Sequence, residues 1–279
     1  MRQDKSEAPI VSITFPIHKF QEYASEALNS ILSQTYKKLE IMFLDNSLNG
    51  LTGNFDLSDK RIKYFRLPTN FGLAETLNFA IDHANGKYLA RMDYDDIALP
   101  SRITEQVKFM ESNPGIAISG TNIIAIGSAI DNNINPGQVV KRKLIHEDIT
   151  KNLLSNNAFF HPTVIFRLEE MKKHHLRYRA NYDSAEDLDL WSRASRVVHL
   201  ANLDEALLSY RLHPGQFSRI DAANSNYVVN KVRISHAFWL IRTNQLKPIL
   251  GTKILLKLFY NSFSLLLKKR KNKFKKFTI

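Results

Sequence analysis

The chain has 279 residues, 44% hydrophobic and 24% charged, which suits one sizeable α/β domain with an appendage. This composition excludes a disordered chain and a collagen-like repeat, and the absence of cysteine excludes disulfides, a thiolate nucleophile and cysteine-ligated zinc. The net charge of +12 is unevenly placed: no acid follows Asp221 and 13 basic residues lie beyond it, so residues 1–221 carry −1.

Met1–Ala8 mixes Arg2, Asp4, Lys5 and Glu7 with no apolar core, so no signal peptide is expected and the chain reads as cytoplasmic. Ile10–Phe15, closed by Pro16, is the first predicted strand, and Ala24, Ala27, Leu28, Ile31 and Leu32 repeat at helical spacing. Glu40–Leu44 and Arg61–Leu67 are further strands. Leu73, Leu77, Ala80, Ile81 and Ala84 mark a helix with Gly86 as its expected C-terminal cap. Tyr88–Met92 is a fourth strand that runs into Asp93-Tyr94-Asp95-Asp96, and a helix opened by Pro100 follows. Later come a buried strand with turns within Ser112–Ile130, a strand at Phe159–Arg167, a helix at Ala185–Ser195, a strand at Leu207–Leu212 and helix from Ala222. Strand–helix alternation with apolar strands predicts an α/β fold with a mostly parallel sheet, whose ligands gather beyond the strands' carboxyl ends.

Asp93, Asp95 and Asp96 place three carboxylates within four residues. Their mutual repulsion is relieved either by solvation, in a plain acidic turn, or by a hard divalent ion such as Mg²⁺ or Mn²⁺. The position after an apolar strand favours the ion together with a phosphorylated ligand.

Pro16, the helix ending Ser33-Gln34-Thr35-Tyr36, Glu40–Asp45, Asn70-Phe71-Gly72 with Asn78, Ala84–Tyr88 and the acidic cluster, in that order, resemble family 2 glycosyltransferases over residues 9–112. His161-Pro162-Thr163, Glu186–Trp191 and Tyr210–His213 extend the likeness. The resemblance implies a Rossmann-like GT-A fold, a nucleotide-sugar donor (a UDP-sugar favoured), Mn²⁺ or Mg²⁺, and inversion at the anomeric carbon. Carried over by position, Thr14, Phe15, Pro16, Asp45, Asn70, Gly72, Asn78, Asp93 and Tyr94 would line the donor site. Asp95 and Asp93, with His213, would hold the metal. Asp187 would be the base and Glu186 its acceptor-positioning partner; the bland alternative is a pair of acids that complement a helix N-terminus. Asn46 and Ser47 depart from the family's usual second acid and glycine, and His18 and Lys19 from its aromatic residue and Asn. Gln216 and Arg219 have the spacing of a processive-synthase motif, but Ile220 stands in place of its Trp, so single-sugar transfer is expected.

The expected organisation is a catalytic domain over 1–221 (a nucleotide-binding half, 9–112, and an acceptor half, 113–221) and a basic helical tail over 222–279. In the tail, Ile254, Leu255, Leu258, Phe259, Phe263, Leu266 and Leu267 form an apolar stripe beside Lys253 and Lys257, and seven cations fall within Lys268–Lys276. Residues 249–276 therefore suit an anionic membrane surface better than a nucleic acid, at about 1 kcal/mol per basic residue near lipid; packing of the stripe on the body is the other option. A lipid-linked saccharide acceptor at the inner membrane face would fit. A sugar nucleotidyltransferase is the weaker rival, because Ser12–Phe20 has no glycine. A non-catalytic carbohydrate- or partner-binding protein is the other. Specificity loops are expected around Asp131–Lys143 and Arg177–Ser184.

Overall fold

β-branched and aromatic runs give the strands, and amphipathic repeats give the helices that cover them. In the computed structural model, residues 7–18, 23–47, 51, 55–68, 71–128, 134–182, 184–213 and 222–275 are described. The strands are β1 (Val11–Ile17), β2 (Leu39–Asp45), β3 (Ile62–Arg66), β4 (Tyr88–Arg91), β5 (Ile97–Ala98), β6 (Ile116–Gly127), β7 (Val139–Val140), β8 (Ile165–Arg167) and β9 (His199–Leu212). The helices are α1 (Ala24–Leu32), α2 (Leu73–His83), α3 (Arg102–Ser112), α4 (His146–Asn152), α5 (Leu168–Lys173), α6 (Glu186–Ala194), α7 (Ala222–Arg242) and α8 (Pro248–Lys275).

The sheet runs β3-β2-β1-β4-β8-β6-β9-β5, with β7 also on β6. β4 and β6 both lie antiparallel to β8, while the β1/β2, β1/β4, β2/β3 and β6/β9 pairs are parallel. Six strands thus point the same way. The ends of β1, β2, β4 and β9 open on one edge, beside the start of β8. α2 and α6 cover one face through Leu77, Ala80, Leu188 and Trp191, and α1 and α3 cover the other through Leu28, Ile31, Val107 and Met110. Each of the buried Leu, Ile, Val and Met side chains contributes about 1.5–3 kcal/mol.

Pro16 lies inside β1 and does not close it. The Val11 and Ile17 backbones bond toward β2 and Thr14 bonds toward β4, so Pro16 faces β4 where that strand has already ended and needs no N–H. Gly86 is not a helix cap. α2 ends with Ala84 in extended backbone, and a Cβ on Gly86 would stand 2.6 Å from the Ser12 nitrogen of β1. The expected strand at Phe159–Arg167 begins only at Ile165, because Pro162 sits in a 3-10 turn at His161–Thr163.

The basic extension divides into two elements. α7 is seated on the body: Val232, Ala237 and Leu240 are buried, and buried His236 bonds Ser192 of α6 at 3.0 Å and the Thr150 carbonyl of α4 at 2.8 Å. α8 rests on α7 where Gly251 meets Ile241 and buries Leu258, yet leaves Ile249, Leu250, Leu256, Phe259 and Tyr260 exposed. No helix among the described residues is long and apolar enough to cross a membrane.

Candidate active site

β4 ends at Arg91, and the chain turns through Asp93–Asp96 at the open sheet edge. One carboxylate oxygen from each of Asp93, Asp95 and Asp96 lies within 4.8 Å of the others. Arg91, almost wholly buried, grips Asp93 with both terminal nitrogens, at 2.9 and 2.6 Å. Asp96 Oδ1 accepts the Arg211 backbone N–H at 2.8 Å, whereas its Oδ2 is buried and has no hydrogen-bond partner. Asp95 Oδ2 lies 3.0 Å from His213 Nε2, which follows β9. Burial, reinforced by the neighbouring carboxylates, raises the Asp96 carboxyl well above its ordinary range. Burial likewise raises Asp93, with Arg91 opposing. This oxygen-rich set with an unsatisfied carboxylate oxygen fits a hard divalent cation. Asp96 was not among the expected ligands; it is as much a part of the cluster as Asp93.

The second acidic group opens α6. Asp187 Oδ2 accepts the Asn157 amide at 2.5 Å and its Oδ1 accepts the Leu188 N–H at 2.6 Å, while burial raises its carboxyl above the ordinary range against those two bonds. Glu186 is buried beside it, and its charge reaches Arg91. Behind the pair, half-buried His161 and buried Tyr178 share a 2.8 Å hydrogen bond. Burial drives the imidazole down and the phenol up, so both stay neutral. Asp189 pairs with Arg193 one helical turn on, at 2.8 Å.

The residues expected around the nucleoside divide by use. Asp45 is fully buried at the end of β2; it accepts Ser47 Oγ at 2.6 Å and Tyr64 OH at 2.7 Å and pairs with Arg66 at 2.7 Å. Burial alone would raise its carboxyl, but these donors hold it below the usual range. Tyr64 and Arg66 stand between it and solvent. Thr14 Oγ1 is buried without a hydrogen-bond partner, whereas the Phe15 ring packs on Phe43 in the core. Pro16 is buried beside it. Tyr94 meets His18 edge-on. Gly72 borders open space before α2. Asn78 spends both ends of its amide on the Tyr178 backbone, at 2.9 Å each, and so seats the Tyr178 loop. Asn70, Gln216 and Arg219 lie outside the described residues.

The sequence reading gives no role to Arg91 or Asn157 and places Tyr178 only within the expected Arg177–Ser184 loop. An arginine inside an apolar strand directly before an acidic cluster is a usable signal; Asn157 has none.

A family model for Glycosyl transferase family 2 matches residues 12–174. An uncharacterized glycosyltransferase of Haemophilus influenzae is 34% identical over 81% of this chain and 72% of its own length. The O-antigen biosynthesis glycosyltransferase WbnJ of Escherichia coli is 31% identical over 73% of this chain and 80% of its own. The crystal structure of S. aureus TarS 1–349 in complex with UDP-GlcNAc superposes with a TM-score of 0.65 at 18% identity, covering 91% of this chain and 73% of that one.

Proposed function

The chain belongs to glycosyl transferase family 2 and is a glycosyltransferase, and from that premise we propose that it moves one sugar from a nucleotide donor, a UDP-sugar by preference, to a lipid-linked saccharide with inversion. The observation that carries this reading is the pairing, on one sheet edge, of an acidic triplet suited to a cation with a separate carboxylate of raised basicity. Asp187 would take the proton of the acceptor hydroxyl as that oxygen attacks the anomeric carbon, while the bond to the nucleoside diphosphate breaks on the opposite face. Glu186 would orient the acceptor. Held by Asp95, Asp93 and His213, with Asp96 beside them, Mn²⁺ or Mg²⁺ would neutralise charge on the leaving diphosphate. The Thr14–Pro16 backbone would meet the nucleoside, with Asp45 acting through Tyr64 and Arg66; Asp93 and Tyr94 would meet the ribose, and Asn70 and Gly72 would border the donor. Asn78 acts one step back, through Tyr178.

The exposed apolar side chains of α8, next to the Lys268–Lys276 cations, support docking on an anionic membrane, where a lipid-linked acceptor would lie. WbnJ's naming for O-antigen biosynthesis supports a role in surface polysaccharide assembly. The test is calorimetric titration of UDP, GDP and dTDP with Mn²⁺, repeated with EDTA and with Asp95→Ala. One nucleotide should bind tightly, and that binding should vanish with EDTA and in the variant. No nucleotide binding under any condition would overturn the proposal.

A further inference from the structure

Lys141–Lys143, between β7 and α4, closes the expected Asp131–Lys143 specificity loop, and it is fastened at each residue. Lys141 pairs with Asp204 at 2.8 Å, the Arg142 N–H donates to Asn122 Oδ1 at 2.9 Å, and the Lys143 carbonyl accepts the Asn202 amide at 2.7 Å. Asn122 in turn donates to Asp204 at 3.0 Å, so the clamp is closed. Such fastening holds the backbone still while committing none of the Arg142 side chain.

That side chain is half-buried, with its guanidinium over the Phe160 ring at 4.0 Å. Its Nε is buried with no hydrogen-bond partner, and no carboxylate among the described residues pairs with it. The contrast is with Arg91, Arg177, Arg193 and Arg211, which pair with Asp93, Asp82, Asp189 and Glu26. Phe160 belongs to the loop that carries Asn157 to Asp187 and His161 to Tyr178, so the guanidinium stacks on the segment that holds the candidate base's partner. Burial lowers the Arg142 pKa, and the negative charge of Asp187 opposes that effect. A partly desolvated cation on a rigid segment, with donors still unspent, is costly unless an anion completes it.

We propose that Arg142 is an anion-binding residue of the active site that takes a phosphate oxyanion beside Asp187, from either the donor's leaving diphosphate or the phosphate of a carrier-linked acceptor. The planar guanidinium fork suits two phosphate oxygens at once. The assignment of these sources rests on the donor and acceptor proposed above; the anion site itself does not.

The experiment uses the full chain, Arg142→Gln and Arg142→Lys, each checked for an unchanged melting temperature. Inorganic pyrophosphate is titrated calorimetrically in EDTA, so that no metal can hold it. Pyrophosphate should bind the wild type, at least tenfold more weakly to the Gln variant, and at an intermediate level to the Lys variant. Equal affinities, or no binding by the wild type, would overturn the site. Two further arms separate the sources. A tenfold loss of UDP–Mn²⁺ affinity with uridine affinity unchanged assigns the donor diphosphate. An unchanged UDP affinity with a tenfold higher acceptor KM assigns the acceptor phosphate, and no change in either overturns the proposal. Loss of pyrophosphate binding in Arg142→Gln, from a protein that transfers no sugar, would sink the transferase reading and leave the anion site standing.

Discussion

Asp187 is pulled two ways, by burial that favours its neutral form and by the Asn157 amide that favours its charge. A base works only when ionised, so kcat/KM should fall on the acid side with a pKa above the ordinary aspartate value of about 3.9. Asn157→Ala removes the opposing bond. One hydrogen bond to a charged group is worth about 1.5–3 kcal/mol, so the acid limb should move up by roughly one to two pH units while the plateau at higher pH changes little. An acid limb that stays in place would separate Asn157 from the base. Asp187→Asn should lower turnover by about 10²–10⁴ and leave the Kd for nucleotide unchanged, because the proposed base would act on the acceptor and not on the nucleotide. Unchanged turnover would mean that another group is the base. The acid of this pair is legible only through the resemblance of Glu186–Trp191 to the family's motif, since two acids at a helix start read equally well as complementing its N-terminus. Asn157 is not legible, since its partner lies 30 residues away and the meeting depends on the path of the loop between them.

At the scale of elements, β1 and β2 are tied to the chain entering β4 by a polar knot at the sheet edge opposite the site. Glu40 accepts Ser12 Oγ, Lys63 Nζ at 2.6 Å, and the Asn85 N–H and amide at 3.0 and 2.6 Å, while Gly86 donates to Ser12 Oγ at 2.9 Å. Burial alone would raise the Glu40 carboxyl, but Lys63, Ser12 and Asn85 outweigh it and hold the pKa at about 2. A folded pKa below the unfolded value of about 4.3 gives stability that is present above pH 4–5 and is lost as pH falls toward 2. Glu40→Gln should therefore cost about 1–3 kcal/mol near neutrality, and urea titrations should show the gap to the wild type closing as pH falls to 3. A gap independent of pH would mean that the charge is not what the knot uses. Much of this half was legible, because short apolar runs between turn residues have one plausible reading. β9 was only half legible: Asn202, Asp204 and Glu205 break its apolar pattern, and the pairing with β6 shifts register there, so the strand starts eight residues before the expected Leu207. β5 and β7, two residues each, exist only because their partners are already in place.

Across the whole molecule, charge and packing divide the chain at different points. Charge changes at residue 222, where the acids stop, but the packed body continues through α7, because Val232, His236, Ala237 and Leu240 are buried there and His236 bridges α4 and α6. Charge can be read residue by residue, whereas the seating of α7 depends on Ser192 and Thr150 from distant parts of the chain. The two divisions predict different fates for two truncations. Stopping after Asp221 uncovers the surface that α7 protects, at about 2–5 kcal/mol for each large buried side chain removed, and should yield insoluble or molten protein. Stopping after Asn244 removes α8 and ten basic residues while keeping α7, and should leave a folded protein with wild-type nucleotide affinity. That shorter chain should lose co-sedimentation with vesicles containing phosphatidylglycerol. The full chain should bind such vesicles more tightly than phosphatidylcholine ones, and less tightly as salt shortens the Debye length from about 10 Å at 0.1 M. Residual binding of the full chain at high salt would measure the share carried by Ile249, Leu250, Leu256, Phe259 and Tyr260, since apolar insertion is not screened. Equal vesicle binding by both chains would mean that α8 serves the body and not a membrane.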